Sequence, residues 1–423
     1  MSSRAGSNGR ASATAALTRR GWTGREMLVL MAAILACSVP ALPQGRLHPD
    51  WVGTWAVTPV QGDEGAAIPA GTLRQIVHTS AAGSEVRIHL SNLFGNRPLQ
   101  VEDVHLALRS AGSAIVPGSD RQLRFNGRKS VVIPAGAAVT TDPIAFQLPA
   151  LSDLAISMYL PKASGRITFH GSTHETSYAA AGDVSGDQDL IHPRTTESCY
   201  FLTNVDVRGK DLRGTIVAFG ASITEGYKAT DDTNQQWPSV LAHRLADAGI
   251  RAGVLNEGIS GNRLLVDGAG ESAEKRFARD VLDQPGVRWV IFADDPINDL
   301  GSTRPAPSAS QLIEATKRLI AAAHQHHVQF FCSTLTPFEG ANYWSSDEEI
   351  SREQFNAFIV SRQSGCDAVV DQDRASHDPG HPSRFLPAYD SADHLHPNDA
   401  GHRAIADAIE LRLFQRSERP RRH

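Results

Sequence analysis

An excess of basic residues is missing from this chain of 423 residues, whose formal net charge is −5. Proteins that hold nucleic acid present a basic face, so no nucleic-acid partner is expected. No apolar run is long enough to cross a bilayer comfortably, because a spanning helix needs about 20 apolar residues. Aromatic residues make up only 6% of the sequence, which leaves no evident lipid-binding surface. Cysteine is scarce. Once an N-terminal leader containing Cys37 is removed, Cys199, Cys332 and Cys366 remain, and an odd number cannot pair completely within the chain. Cys332 lies in Gln329-Phe-Phe-Cys-Ser-Thr-Leu335, which reads as a core strand. A buried free thiol is therefore expected, with a Cys332–Cys366 disulfide as the alternative in an exported protein.

What is present divides the chain. Arg19, Arg20 and Arg25 precede the apolar run from Met27 to Val39, and small residues and prolines follow it. This pattern reads as a secretory leader over 1–44 with a cleavage site at Val39-Pro40-Ala41, so the mature chain is expected to be exported, to the periplasm or beyond, without a stable membrane span. Arg19-Arg20 hints at twin-arginine export, and Ile34-Leu35-Ala36-Cys37 resembles a lipoprotein box with a poorly fitting Leu35. The route is not legible. Residues 417–423 form a basic tail.

With 41% apolar and 21% charged residues the body reads as globular, and its length exceeds one ordinary core. Residues 45–207 show short alternating strands such as Val86-Arg-Ile-His-Leu90 and Leu154-Ala-Ile-Ser-Met-Tyr-Leu160, separated by Gly, Pro, Asn and Asp clusters. An all-β sandwich is expected there. Residues 208–416 change grammar. Strands are expected at Thr215–Phe219, Gly253–Asn256, Val287–Ala293, Val328–Leu335 and Asp367–Asp371. Helices are expected at Trp237–Ala248, Ser308–His326, Glu348–Ser364 and Asn398–Phe414. Alternation of this kind implies a parallel sheet covered by helices on both faces, with a ligand crevice beyond the carboxyl ends of its strands.

Ser222 follows the first of these strands, where Gly220 breaks the run Ile216-Val-Ala-Phe. A serine at a helix N-terminus is either a cap or a nucleophile. Near the other end, Asp393-His394-Leu395-His396-Pro397 supplies a carboxylate and an imidazole three residues apart, which favours the nucleophile. In that reading His396 is the base and Asp393 orients it. Taken alone, the pair is equally compatible with a polar loop capping the last helix. His394 alternates with His396 and is expected to point away. Gly258, after the second strand, allows close backbone approach and offers its N–H. Asn298, after the third, offers a side-chain amide. Each is also an ordinary residue of a strand-to-helix turn. Three segments that all follow strands converge on one crevice.

These four blocks, in this order, resemble the SGNH (GDSL-like) hydrolase superfamily. Ser222 lies in the block similar to its first motif, Gly258 in the second, Asn298 in the third, and Asp393-x-x-His396 in the fifth. The resemblance covers Leu212 to Phe414. The region from Trp51 to Val207, with Gly53-Thr-Trp55 near its start, is similar to the β-sandwich that precedes such domains in a subset of bacterial members. The resemblance implies a flavodoxin-like α/β/α sandwich and a serine hydrolase that cleaves carboxylic esters through an acyl-enzyme. It implies the triad Ser222, His396 and Asp393, and an oxyanion hole from Ser222 N–H, Gly258 N–H and the Asn298 amide.

Two positions depart from the pattern. Ala221 replaces the aspartate that usually precedes the serine, losing a carboxylate beside the nucleophile. Pro296 replaces a glycine two residues before Asn298, so displacement of the segment presenting Asn298 and reduced activity are expected. The substrate class is a small-molecule or carbohydrate ester, and no cofactor is expected. An inactive scaffold that binds carbohydrate or a surface is the alternative. A third reading is a metal site of Asp393, His394 and His396, which no cluster after the early strands supports. His324, His326 and His327 read as a solvated helix end, and His377 and His381 as surface loop residues.

Overall fold

Residues 50–415, which the computed structural model describes, build two large hydrophobic cores within one compact unit. The leader expected over 1–44 and the basic tail expected over 417–423 lie outside these residues.

The first core lies between two antiparallel sheets. One sheet orders Val52–Ala56, Leu202–Arg208, Gly83–Ser91 and Ile144–Leu148, and the other is centred on Gly71–Thr79, Ser152–Leu160 and Leu99–Ala111. Alternation decides which side chains enter: Val86, Ile88 and Leu90 are fully buried, whereas the intervening Arg87 turns outward to Asp206 at 2.8 Å. Leu154, Ile156 and Met158 face this core, and Ala155 joins a smaller cluster on the other side of its sheet.

The second core surrounds a five-stranded parallel sheet ordered Gly253–Gly258, Thr215–Gly220, Val287–Phe292, Gln329–Ser333, Ala368–Val370. That is the flavodoxin-like order, whose switch point lies between the first and third strands in sequence. Ile216, Val217, Ala218 and Phe219 are all buried, as the central strand of a sheet covered on both faces requires. The four longest helices are Trp237–Asp247, Ala309–Gln325, Ser346–Val360 and Asp399–Asp407.

Several expectations change at this point. The last helix starts after Asn398, whose side chain caps it by accepting from Gly401 N–H at 3.1 Å, and it ends at Asp407 with a separate 3₁₀ turn over Leu411–Phe414. His377 and His381 lie in a short hairpin, His377–Asp378 with His381–Phe385, rather than in a loop. Cys332 is buried as expected but is not free: it bonds to Cys366 across a Cα separation of 5.8 Å. Cys366 falls just before the strand that neighbours Cys332, and this adjacency brings the two sulfurs together. Cys199 is the buried free thiol. Among the described residues no helix is long and apolar enough to cross a membrane.

The sandwich and the parallel sheet meet along a tight seam. A Cβ on Gly253 would stand 1.8 Å from Gly53 O, so only glycine lets these two backbones touch. Gly53 N–H donates to Thr215 Oγ1 at 3.0 Å, and Thr58 Oγ1–H donates to Glu257 Oε2 at 2.6 Å.

Candidate active site

Ser222 opens a single helical turn, Ser222–Glu225, directly after the central strand. The first N–H groups of a helix have no partner within it. Here Asp294, two residues past the neighbouring strand Val287–Phe292 and just before the helix Asp295–Ser302, takes the flanking ones. Its Oδ1 accepts from Ala221 N–H at 3.1 Å and from Thr224 Oγ1–H at 2.5 Å, and its Oδ2 accepts from Ile223 N–H at 2.8 Å. Ser222 N–H stands between the two tethered amides. The carboxylate that Ala221 cannot supply thus arrives from just past the adjacent strand. Burial pushes the Asp294 carboxyl up, while its three donors pull it down.

Ser222 Oγ lies 2.9 Å from His396 Nε2, and His396 Nδ1 lies 2.8 Å from Asp393 Oδ2. The carboxylate on Nδ1 fixes the tautomer: Nδ1 carries hydrogen, and Nε2 is left to accept from the serine hydroxyl. Asp393 Oδ1 accepts from the Leu395 and His396 N–H groups at 3.0 and 2.9 Å. Burial would raise the Asp393 carboxyl, but these amides and the imidazole hold it below the usual carboxylate range. Tyr227 closes one side, its ring 4.7 Å from the His396 ring in an edge-on contact. His394 turns away and pairs with Asp390 at 2.6 Å, so Asp393, His394 and His396 do not converge as a ligand set.

Gly258 ends the second strand and lies against the nucleophile turn. A Cβ there would meet Glu225 N at 2.3 Å. Its N–H donates to Asn256 Oδ1 at 3.1 Å in this structure, so it is an engaged donor. Asn298 lies in the helix Asp295–Ser302, which sequence patterning did not show. Pro296 falls in the first turn of that helix, where its absent N–H would have had no partner, so it does not break the segment. The Asn298 amide is fixed from both ends: Nδ2 donates to Asn262 O at 2.9 Å, and Oδ1 accepts from Tyr343 Oη–H at 3.2 Å. One Nδ2 hydrogen remains for a ligand.

A fully buried arginine underlies these strand ends. Arg276 donates to Gly220 O at 2.9 Å, to Glu257 O at 2.8 Å and to Asn262 Oδ1 at 3.0 Å, with its guanidinium 4.0 Å from the Phe219 ring centre. It thereby joins the strand before Ser222 to the loop after Gly258. Burial lifts the Asp295 carboxyl to about 7, against the pull of Arg276. Arg276, Asp294 and Tyr343 were not singled out in the sequence. Asp294 alone left a trace, as an acid at the carboxyl end of a central strand facing the crevice. The partners of Arg276 and Tyr343 are too distant in the chain for any local pattern.

Residues 218–404 match the family model described as GDSL-like Lipase/Acylhydrolase family. No curated protein matches the chain. Among solved structures, the chain is similar to a GDSL-like lipase from Bacteroides thetaiotaomicron at 18% identity, covering 48% of this chain and 87% of that one, with a TM-score of 0.36. An aryl esterase of M. smegmatis is 15% identical, with 48% and 96% covered and a TM-score of 0.38. A variant of a Geobacillus acetyl-xylooligosaccharide esterase is 20% identical, with 47% and 93% covered and a TM-score of 0.37.

Proposed function

We propose, since residues 218–404 match the model of the GDSL-like lipase/acylhydrolase family, that this protein hydrolyses carboxylic esters through an acyl-enzyme on Ser222. The observation that carries the reading is the unbroken line Ser222 Oγ, His396, Asp393, with contacts of 2.9 and 2.8 Å. His396 Nε2 takes the hydroxyl proton as Ser222 Oγ attacks the ester carbonyl. Asp393 stabilises the imidazolium that forms. The oxygen of the tetrahedral intermediate takes hydrogen bonds from Ser222 N–H and the free Asn298 Nδ2 hydrogen, and from Gly258 N–H once this exchanges Asn256 Oδ1 for the substrate. His396 then protonates the leaving alcohol. Water, deprotonated by the same imidazole, releases the acid and restores the serine.

Small esters, including acylated carbohydrate, are the substrate class, and the place of action is outside the cytoplasm. The leader pattern and the Cys332–Cys366 disulfide support export. The alternative of a retired, sugar-binding scaffold rested on Ala221 and Pro296. Asp294 offsets the first and helix position accommodates the second, so neither now favours it. The test is release of p-nitrophenol from its acetate ester by wild type and by Ser222→Ala. Activity lost in the variant supports the assignment, and equal rates overturn it.

A further inference from the structure

A buried ion pair crosses the seam beside the nucleophile turn. His170 ends Thr168–His170, the middle strand of a separate three-stranded sheet in the N-terminal β region, and is 3% exposed; Glu225 ends the Ser222 turn and is 7% exposed. His170 Nδ1 lies 2.9 Å from Thr58 O, and its Nε2 lies 3.2 Å from Glu225 Oε1. A carbonyl only accepts, so Nδ1 carries a hydrogen. Glu225 is also an acceptor here, because Ser260 N–H donates to Oε1 at 3.2 Å and Ser260 Oγ–H donates to Oε2. Nε2 therefore carries the second hydrogen, and His170 is an imidazolium.

Glu225 acts on the loop in two ways. Its carboxylate holds Ser260, two residues after Gly258. Its backbone carbonyl accepts from Asn256 Nδ2 at 3.1 Å, which points Asn256 Oδ1 at Gly258 N–H. We propose that His170 is a positioning residue for the oxyanion loop: its buried imidazolium holds Glu225, and Glu225 holds the Ser260 turn that follows Gly258 and so fixes the backbone presenting its N–H. The N-terminal β region is then part of the catalytic apparatus rather than an appended module. The charge states agree with the geometry. Burial would lower the His170 pKa, but the hydrogen bond and charge of Glu225 and the carbonyls of Thr58 and Ser172 raise it above the usual value. Burial would raise Glu225, but His170 and Ser260 hold it below. The pair borders a cavity of about 60 Å³, which Glu175 and His78 also line.

This inference rests on the esterase reading, so its test has an arm independent of turnover. With p-nitrophenyl acetate, His170→Ala is expected to lower kcat about 10²-fold, the scale of losing or misplacing one oxyanion donor. KM should stay within about threefold, because the interaction is made only in the transition state. His170→Gln keeps an N–H toward Glu225 and should recover about tenfold of the loss, and thermal melts check that each variant is folded. In the second arm, nitrogen-15 histidine spectra of the full chain at pH 7 should show both His170 ring nitrogens protonated. The Gly258 and Ser260 amide signals should shift in His170→Ala. Unchanged kcat in a folded His170→Ala variant of an active enzyme, a neutral His170 ring, or unmoved Gly258 and Ser260 amides would each overturn the proposal. A wild type inactive on every ester would instead sink the esterase reading and leave the spectral arm to decide this one.

Discussion

Replacing Asp294 separates a buried acid that merely fills space from one that holds the nucleophile in place. Asp294→Ala leaves three buried donors, Ala221 N–H, Ile223 N–H and Thr224 Oγ1–H, without their partner. Each unsatisfied donor costs roughly 1–3 kcal/mol, so a loss of about 3–9 kcal/mol is the range before relaxation. Water entering the space left behind and rotation of the Thr224 hydroxyl bring the value toward the lower end. That is still a large share of a domain stability of roughly 5–15 kcal/mol. Asp294→Asn is the informative variant because it remains folded more readily. Its Oδ1 keeps Ala221 N–H and Thr224 Oγ1–H, but its Nδ2 then faces Ile223 N–H, donor against donor. With one contact reversed, Ser222 shifts, and a displacement near 1 Å is worth about 10²-fold in rate. The assay pairs kcat on p-nitrophenyl acetate with a thermal melt. Both should fall in Asp294→Asn, and kcat further than the melt alone explains. A variant with wild-type kcat and wild-type Tm would refute the reasoning that Asp294 replaces the carboxylate missing at position 221.

Tyr343→Phe removes the hydroxyl that fixes Asn298 Oδ1, so kcat is expected to drop about tenfold with KM little changed, less than the roughly 10²–10³-fold cost of losing an oxyanion donor outright. An unchanged kcat would mean that Asn262 alone orients the amide. The His170–Glu225 pair makes stability depend on pH in a defined window. The raised His170 pKa contributes stability that is fully present below about 6.5 and is lost as pH rises through the folded value. The lowered Glu225 pKa contributes stability present above about 4.3 and lost as pH falls through its folded value. The Tm gap between wild type and His170→Gln should therefore be widest between those limits, and a gap that stays flat from acid to alkaline pH contradicts the pairing.

Local pattern carried most of the architecture. Buried runs such as Ile216–Phe219 and alternating ones such as Val86–Leu90 announce their sheets, because side-chain period reports which faces are covered. Ser222, Asp393 and His396 were legible only in combination: the serine block and the Asp-His block each have an ordinary structural reading alone, and their joint occurrence, in order with Gly258 and Asn298, favours the catalytic one. The arrangement around them was not. Asp294 reaches Ala221 across 73 positions, and His170 reaches Glu225 from another sheet, so no window of sequence contains either pair. Ala221 and Pro296 looked like defects for the same reason. The compensation for one lies just past a neighbouring strand, and the other falls in a helix turn that the surrounding Asp and Asn residues disguised as loop. Cys332 was misread because a core strand hides a thiol whether it is free or bonded. Only the neighbouring strand brings Cys366 to it.

The most direct measurement is mass mapping of the protein after treatment with a fluorophosphonate. One adduct, on Ser222, is expected, with labelling abolished in Ser222→Ala and slowed by orders of magnitude in His396→Ala. An unlabelled wild type, or an adduct on another serine, would contradict a hydroxyl activated by His396.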